Sequence, residues 1–281
     1  MFTLKSKKIL KLVTLGVAIL GTLAIAGCGG DDSSSKSAAA SDAKTIVVAT
    51  RGTSKPFSYT DDNGELTGYD VEILKAIEKI DPSLHFEFKP MSTDAAFVAM
   101  DGGQVDLIAN QMRRNPAREA KYLFTNEVND YSVRNLVVKD DNNSVHSLAD
   151  LQGKKVAATT NSEFVDMVKK FNETAATPIE LIYTDKGAAE TLNLVATGRA
   201  DAAGEYKYIV ESAVKERKLP LKIVGDTLAV VPTYFVVRKG DGMDDVVKRI
   251  DADMKKLREN GTLKDLSEKF LGGDYTVEPG K

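Results

Sequence analysis

Three chemically versatile side chains are scarce in this sequence of 281 residues, which has one cysteine, two histidines and no tryptophan. Because Cys28 is the only cysteine, the body of the protein can form no internal disulfide, which excludes a fold held together by disulfides. His85 and His146 lie far apart in the sequence, and without a cysteine–histidine cluster a zinc or haem site is not expected. We therefore predict no metal and no cofactor, and we interpret each histidine as an ordinary surface or partly packed residue.

A strong excess of one charge is also missing. The chain has 38 Lys and Arg against 41 Asp and Glu, a net charge of −3, and the basic residues are dispersed. Nucleic acid is therefore a poor candidate partner.

No short internal repeat is visible, and the body from Thr45 to Lys281 is long enough for one large domain or two small ones.

The N-terminus holds the one long apolar run. Lysines at positions 5, 7, 8 and 11 precede a run over residues 12–26 that is too short to span a bilayer comfortably. This pattern predicts a cleaved secretory signal over residues 1–27, with a lone N-terminal transmembrane anchor as the alternative. The sequence IAGC at 25–28 resembles the bacterial lipobox, which implies that Cys28 is lipid-modified and becomes the first mature residue.

Small and polar residues, GGDDSSSKSAAASDAK, fill positions 29–44. They cannot bury enough apolar surface to fold, so we predict a flexible, lipid-anchored tether over residues 28–44. Export with a lipid anchor predicts an extracytoplasmic location on the cell membrane, in the periplasm or at the outer face.

The body alternates strand-like and helix-like segments. Segments rich in β-formers are TIVVAT (45–50), HFEFKP (85–90), VDLIAN (105–110), NLVVK (135–139), KVAAT (155–159), IELIYT (179–184), ADAAGE (200–205) and YFVVRK (234–239). Helical patterns lie in DVEILKAIEKI, with Val71, Leu74, Ile77 and Ile80 on one face, in EFVDMVKKF, with Phe164, Val168 and Phe171, and in the tail from Asp244 to Leu271 apart from Gly261. This alternation predicts an α/β fold of doubly wound sheets covered by helices.

In such folds ligands bind beyond the carboxyl ends of the strands, where helices begin. The strand VDLIAN runs into a helix start at which Asn115 is the expected N-cap, Pro116 the first helical residue and Arg118 the third. The helix dipole opposes an arginine there, and a forked hydrogen bond to a ligand carboxylate would offset that cost. A solvated arginine is the equally supported alternative. The strand KVAAT runs into residues 160–162, TNS, which are typical of an N-cap with free backbone donors.

Several motifs together resemble the polar-amino-acid solute-binding proteins, the extracytoplasmic receptors of ABC importers. They are PFSYTDDNGELTGYDVEILKAI (56–77), VDLIANQMRRNPAREAKYLFT (105–125), LADLQGKKVAATTNSEF (148–164), TGRADA (197–202), YFVVRK (234–239) and LRENGTLKDLSEKFLG (257–272). The resemblance implies a two-lobed periplasmic-binding-protein-like fold with a two-strand hinge, in which the lobes close around the ligand and a membrane permease recognises the closed form. It places lobe 1 at 45–133 and 231–281 and lobe 2 at 137–228, and we expect a monomer.

The resemblance also assigns ligand-binding roles by position. It places Arg118 at the α-carboxylate of the ligand, with Asn110, Gln111 and Arg113 at the rim of the same site. From lobe 2, Asn161, Ser162 and neighbouring backbone groups would contact the ligand.

The sequence departs from the family pattern at three positions. The two aromatic residues that members commonly place near the first strand and in the following loop align with Ser54 and Thr93. The usual aspartate for the α-ammonium group aligns with Tyr206, and Glu205 stands beside it. Without those aromatics the pocket would be larger or wetter.

The pattern NQ-x-x-x-NPxR-x-x-KYLF at 110–124 is most similar to the cystine-binding branch of the family. Arg113, Arg51 or Lys55 could supply charge for a second carboxylate, which cystine has; for Arg51 and Lys55 a solvated surface position is the favoured alternative. We therefore expect cystine or a related polar or acidic amino acid as the ligand.

An enzyme is the main rival class, because related folds host dehydratases and glycosidases. The carboxylates available for catalysis are Glu163, Glu205 and Asp94, and no histidine or paired-carboxylate signature accompanies them. Glu163 suits a helix start, and Asp94 is expected to be the N-cap of a helix over 95–101. We predict that the protein is not an enzyme; a sensory or adhesive lipoprotein is the third alternative.

Overall fold

The computed structural model of the protein describes residues 43–160 and 162–280. The predictions for the signal peptide, for Cys28 and for Asn161 therefore lie outside the described residues, as does almost all of the tether. The first strand begins at Lys44, where the end of the tether is predicted. Within the described part of the chain, no helix is both long enough and apolar enough to span a bilayer.

Thirteen strands form three sheets within the described residues. They are β1 (Lys44–Thr50), β2 (Thr53–Ser54), β3 (Ser58–Thr60), β4 (Leu66–Thr67), β5 (Leu84–Pro90), β6 (Leu107–Met112), β7 (Leu123–Phe124), β8 (Tyr131–Lys139), β9 (Lys155–Thr159), β10 (Glu180–Thr184), β11 (Ala202–Tyr206), β12 (Leu221–Pro232) and β13 (Tyr234–Val237). The helices are α1 (Tyr69–Ile80), α2 (Thr93–Asp101), α3 (Pro116–Lys121), α4 (Glu163–Asn172), α5 (Ala188–Ala196), α6 (Lys207–Arg217), α7 (Met243–Glu259) and α8 (Thr262–Leu271).

Each predicted strand is present, with its bounds shifted by a few residues at most. The apolar periodicity also predicts the helix faces correctly: Val71, Leu74 and Ile77 of α1 are fully buried. Ile80 is the exception at 41% exposed, because it is the last residue of α1. The predicted N-cap at Asp94 is wrong. Ser92 caps α2 by accepting a hydrogen bond from the Ala95 backbone N–H, which is the ordinary N-cap arrangement.

The first large sheet has the strand order β5-β1-β6-β13-β7. β1 runs parallel to β5 and β6, whereas β13 lies antiparallel between β6 and β7. The helices α1, α7 and α8 pack together on one core of this sheet and α2 contributes to another. We call this sheet and its helices the first lobe. Because β13 follows the whole second sheet in the chain, the first lobe is discontinuous in sequence.

The second large sheet has the order β10-β9-β11-β8-β12 and, with α4, α5 and α6, forms the second lobe. β9 is parallel to β10 and β11, and β8 pairs antiparallel with β11 and β12. Helices on both faces of each sheet make the fold doubly wound, and the predicted two-lobed α/β class is confirmed.

Two adjacent chain segments connect the lobes. The backbone N–H of Thr233 donates to the Asp130 carbonyl over 3.0 Å, and the N–H of Asn129 donates to the Thr233 carbonyl over 2.9 Å. β8 and β12 continue from this point as a paired ribbon into the second lobe. The connection is thus a two-stranded hinge.

The segment after α8 returns across this hinge. The backbone N–H of Tyr131 donates to the Tyr275 carbonyl over 2.7 Å. The Tyr275 hydroxyl, in turn, donates to Glu211 on α6 over 2.9 Å. The C-terminal segment therefore contacts the first lobe, the hinge and the second lobe.

Candidate functional site

Two neighbouring cavities lie between the lobes, at the carboxyl ends of β1 and β6. The first has a volume of about 280 Å³ and is lined by Arg51, Ser54, Phe57, Ser58, Asn110, Gln111, Met112, Arg113, Arg118 and Tyr208. The second has a volume of about 340 Å³ and is lined by Arg113, Arg114, Asn115, Arg118, Glu163, Val231, Pro232 and Tyr234. The two cavities share Arg113 and Arg118, and the edge on which they lie is the usual ligand-binding edge of an open α/β sheet.

Arg118 stands on the short helix α3 in the arrangement that the sequence predicts. Pro116 is the first helical residue, and the Asn115 side-chain oxygen accepts a hydrogen bond of 2.8 Å from the Arg118 backbone N–H. The helix end is therefore already capped by Asn115, and the guanidinium group lines both cavities.

The Arg118 guanidinium is held by uncharged groups. It donates to the Arg113 carbonyl over 3.1 Å and lies 5.3 Å above the centre of the Phe97 ring. Burial, and next the charge of Arg113, lower the pKa of Arg118. No ion pair to a described carboxylate involves Arg118, so its positive charge is available for an anion.

Asn110 and Gln111 lie near the carboxyl end of β6 and make different contacts. The Asn110 side-chain oxygen accepts a hydrogen bond from the Arg51 backbone N–H, and its buried amide nitrogen has no partner among the described residues. That nitrogen is a free donor at the first cavity. Gln111 has a positive φ of 52°, and its backbone N–H and side-chain amide both donate to Asp70. The Gln111 side chain is thus occupied by an internal carboxylate.

Asp70 and Asp130 are two buried carboxylates near Gln111 and the hinge. Burial, together with the charge of Asp130, raises the pKa of Asp70 to about 8. Burial also raises the pKa of Asp130 to about 6, although the Thr233 hydroxyl donates to it. Neither carboxylate is among the residues that line the two cavities. Asp70 instead holds Gln111, which does line the first cavity.

Arg113 meets Glu163 across the space between the lobes. Arg113 follows β6 in the first lobe, and Glu163 is the first residue of α4 in the second lobe. Their side chains form an ion pair and are 41% and 52% exposed. Glu163 is the one carboxylate among the described residues that line the two cavities.

Two of the three positions at which the sequence departs from the pattern of the resembled family lie at or next to the first cavity. Ser54 lines the first cavity. Thr93 lies in an adjoining depression, and its hydroxyl accepts a hydrogen bond of 3.1 Å from the Arg51 side chain. The structure thus brings Thr93 next to the site through Arg51 instead of placing it in the wall.

Aromatic side chains do line the first cavity, although they are not among the predicted site residues. The Phe57 and Tyr208 rings meet edge to face with centroids 5.1 Å apart. Tyr206 stacks on Tyr208 at 5.9 Å, and the Arg134 guanidinium lies 4.2 Å from the centre of the Tyr206 ring. Phe57 follows the first strand closely in the PFSY motif, and that position is the sequence signal that could have identified it.

The second-lobe residues of the prediction are largely engaged in their own lobe. The Ser162 hydroxyl caps α4 by accepting a hydrogen bond from the Val165 backbone N–H. Glu205 is 7% exposed and accepts a hydrogen bond of 2.7 Å from the Thr191 hydroxyl. Burial raises the pKa of Glu205. Neither Glu205 nor Tyr206 is among the residues that line the two cavities.

Comparison with known proteins finds both a matching family profile and similar individual proteins. The sequence profile of the bacterial extracellular solute-binding proteins, family 3, matches residues 46–273. The L-cystine-binding protein TcyJ of Bacillus subtilis (strain 168) is 37% identical over 261 residues, which are 92% of this chain and 95% of that protein.

Two solved structures show the same fold. The probable amino-acid ABC transporter extracellular-binding protein ytmK of Bacillus subtilis has a TM-score of 0.76 at 33% identity, over 83% of this chain and 100% of that one. The L-cystine solute receptor of Neisseria gonorrhoeae, in its unliganded open conformation, has a TM-score of 0.71 at 33% identity, over 83% of this chain and 95% of that one.

Proposed function

Because this chain belongs to the bacterial extracellular solute-binding proteins, family 3, we propose that it captures L-cystine, or a closely related amino acid, between its two lobes. It is the solute-binding component of an amino-acid ABC importer and not an enzyme. The enzyme alternatives, a dehydratase or a glycosidase, and the sensory alternative are therefore set aside. The ligand would be passed unchanged to a membrane permease.

The observation that carries this proposal is the available charge of Arg118. The first cavity has three arginines in its lining, Arg51, Arg113 and Arg118, and no carboxylate among its described lining residues. A guanidinium donates two parallel hydrogen bonds to a carboxylate, which a lysine cannot do. We assign the ligand α-carboxylate to Arg118, with the free amide nitrogen of Asn110 as a further donor.

The remaining features suit a ligand with two carboxylates and a sulfur-containing centre. Arg51 and Arg113 lie on the same cavity as Arg118 and could hold a second carboxylate. Phe57 and Tyr208 offer ring edges and faces, with which divalent sulfur makes favourable contacts. The second cavity, which shares Arg113 and Arg118, gives room for the other half of cystine.

Closure of the lobes would follow from ligand contacts to both lobes. The cavities take residues from the first lobe, from the hinge at Pro232 and from the second lobe at Glu163 and Tyr208. A ligand that contacts both lobes stabilises the closed state and shifts the population toward it. We retain 45–133 with 231–281 and 137–228 as the proposed extents of the lobes.

We also propose that the mature protein is a monomer anchored by lipid at Cys28. The support for the anchor is the lipobox resemblance at 25–28, the signal-like residues 1–27 and the polar composition of 28–44. The protein would then work in the periplasm or at the outer face of the membrane, next to its permease.

A thermal-shift screen tests the ligand assignment. The soluble body, residues 45–281, is heated with L-cystine, with each of the common amino acids and with several dicarboxylates. A ligand at about 100 times its Kd adds roughly 2.7 kcal/mol of stability, enough to raise Tm by several degrees. We expect cystine to raise Tm of the parent protein and to leave Tm of Arg118→Ala unchanged.

Arg199→Ala is the matched control, because Arg199 is an exposed arginine of the second lobe that lines neither cavity. This variant should respond to cystine as the parent does. If a different amino acid alone shifts Tm, the cystine assignment is wrong; if Arg118→Ala responds fully, the carboxylate assignment is wrong.

A further inference from the structure

An amino-acid ligand carries an α-ammonium group that needs a negative partner, and this requirement rests on the proposed function. The family pattern would place an aspartate at position 206, where this chain has tyrosine. The neighbouring Glu205 is buried inside the second lobe and is bound to Thr191. Neither residue lines the cavities that hold Arg118, so the ammonium partner must come from elsewhere.

Glu163 is in the right place for this role. It begins α4, lines the second cavity together with Arg113 and Arg118, and is half exposed. Among the described lining residues of both cavities it is the one carboxylate. Its side chain therefore supplies the negative charge next to a site that is otherwise strongly positive.

The contact that Glu163 makes shows what it can bind. Its carboxylate is paired with the Arg113 guanidinium across the space between the lobes. A positive and a negative group side by side match the carboxylate and ammonium of a zwitterion. A ligand head group can exchange places with this pair, with its carboxylate on the arginines and its ammonium on Glu163, so that neither side chain loses a charged partner.

We propose that Glu163 binds the α-ammonium group of the ligand from the second lobe and thereby makes the site selective for amino acids over plain carboxylates. Three arginines alone would favour a dicarboxylate without ammonium groups at least as strongly as an amino acid. The carboxylate of Glu163 repels such a dianion and attracts the zwitterion. Because the contact also joins the lobes, it forms only when they are close together.

The alternative role for Glu163 is structural. An acidic residue in the first turn of a helix is stabilised by the helix dipole, and an exposed ion pair with Arg113 contributes little. Either effect would act on all ligands alike. A comparison of two ligands that differ only in their ammonium groups therefore separates the two roles.

The experiment uses isothermal titration calorimetry with L-cystine and with dithiodipropionate, which is cystine without its ammonium groups. The parent protein is expected to prefer cystine. In Glu163→Gln, cystine affinity should fall roughly tenfold, the size expected for one charged hydrogen bond in a half-exposed site. Dithiodipropionate affinity should stay constant or rise, because a repelling charge is gone.

Asp166→Asn is the matched control, since Asp166 lies one turn further along α4, is exposed and lines neither cavity. It removes the same charge from the same helix and should leave both affinities unchanged. Circular dichroism and Tm verify that each variant is folded.

The outcomes distinguish this inference from the proposed function. If Glu163→Gln weakens both ligands equally, or changes neither, the ammonium role of Glu163 is overturned while the cystine assignment stands. If the parent protein binds no cystine, both are overturned. If Arg118→Ala loses both ligands and Glu163→Gln loses only cystine, both hold.

Discussion

Gln111 donates two hydrogen bonds to Asp70, one from its backbone N–H over 3.1 Å and one from its side-chain amide over 2.6 Å. The φ of Gln111 is 52°, a conformation that residues other than glycine adopt rarely. The two bonds stabilise this turn of the chain, which lies between Asn110 and Arg113 in the cavity lining. Asp70, a buried carboxylate of α1, thus fixes the backbone of the candidate ligand site without lining the cavity.

The first prediction concerns the dependence of Tm on pH. Burial raises the pKa of Asp70 to about 8 and that of Asp130 to about 6, whereas a carboxyl group in the unfolded chain has a pKa near 4. The folded protein therefore holds protons that the unfolded chain has already released. The stabilisation is fully present below the unfolded pKa and is lost as pH rises through the folded values. We expect Tm to fall from about pH 5 to about pH 8, up to about pH 6 because the contributions of both Asp130 and Asp70 are being lost, and from there to about pH 8 because that of Asp70 is still being lost.

Asp70→Asn should flatten this dependence, because the substituted side chain does not ionise. Asp150→Asn is the control, since hydrogen bonds from His146 and Ser147 lower the pKa of the exposed Asp150 and it stays ionised throughout this range. A pH series of calorimetric scans measures Tm for the three proteins. A Tm that rises over the range, or an unaltered slope in Asp70→Asn, would contradict the prediction.

The second prediction concerns Gly204. A Cβ atom there would lie 2.3 Å from ring atoms of the buried Phe164. Gly204→Ala should lower the free energy of unfolding by about 1–3 kcal/mol, the usual cost of overpacking a core. Phe164 follows Glu163 in α4, so displacement of the helix should also weaken ligand binding.

Urea unfolding and calorimetric titration measure the two effects of Gly204→Ala. Gly102→Ala is the control, because its Cβ would meet nothing nearer than 3.5 Å. Equal stability of the two variants would show that the sheet and α4 can separate at this point without cost.

The third prediction concerns the aromatic wall. Phe57 is 6% exposed and meets Tyr208 edge to face. Phe57→Leu removes that contact, worth about 0.5–1.5 kcal/mol beyond area burial, and Phe57→Ala also leaves a cavity at a cost of about 3–5 kcal/mol. Ligand affinity should fall in the same order, as measured by titration. Phe171→Leu, in the second lobe and outside both cavities, should leave affinity unchanged.

The fourth prediction concerns the C-terminal segment. The Tyr275 hydroxyl donates to Glu211, and loss of this one hydrogen bond in Tyr275→Phe should cost about 0.5–1.5 kcal/mol. Glu211→Gln weakens the same bond. In a double-mutant cycle the two substitutions together should therefore cost less than their sum. Additive effects would show that the bond contributes nothing to stability.

The elements that sequence predicts well are those whose signals are local. The apolar face of α1 and the β-rich run of β1 need only their own residues to be recognised. The same is true of the α3 start, where Asn115 and Pro116 are adjacent to Arg118. β12 escapes prediction because Gly225, Asp226 and Thr227 interrupt its pattern, and the strand indeed shifts register between Val224 and Ala229.

The candidate site depends on contacts between residues that are distant in sequence. Local sequence signals do not predict such contacts. The Arg113–Glu163 ion pair and the Phe57–Tyr208 wall exist only once both lobes are folded. Glu163 has an ordinary local explanation as the first residue of a helix, and Glu205 gives no local sign that it is buried. Local sequence signals therefore find Arg118, which we propose as the carboxylate partner of the ligand, more readily than the residues that face it across the cavities.

The position of β13 between β6 and β7 imposes an order on folding. The second sheet forms from residues 131–232 alone, a continuous stretch, whereas the first sheet needs a strand that arrives after it. The ion pair between Arg238 and Asp106 closes a loop of 132 residues. Such a loop costs little extra stability because closure entropy grows with the logarithm of length, but contacts this distant form slowly. If the chain is exported N-terminus first, as its signal-like N-terminus implies, the edges of β6 and β7 would stay unpaired until β13 (Tyr234–Val237) is delivered, and aggregation during export would begin at those edges.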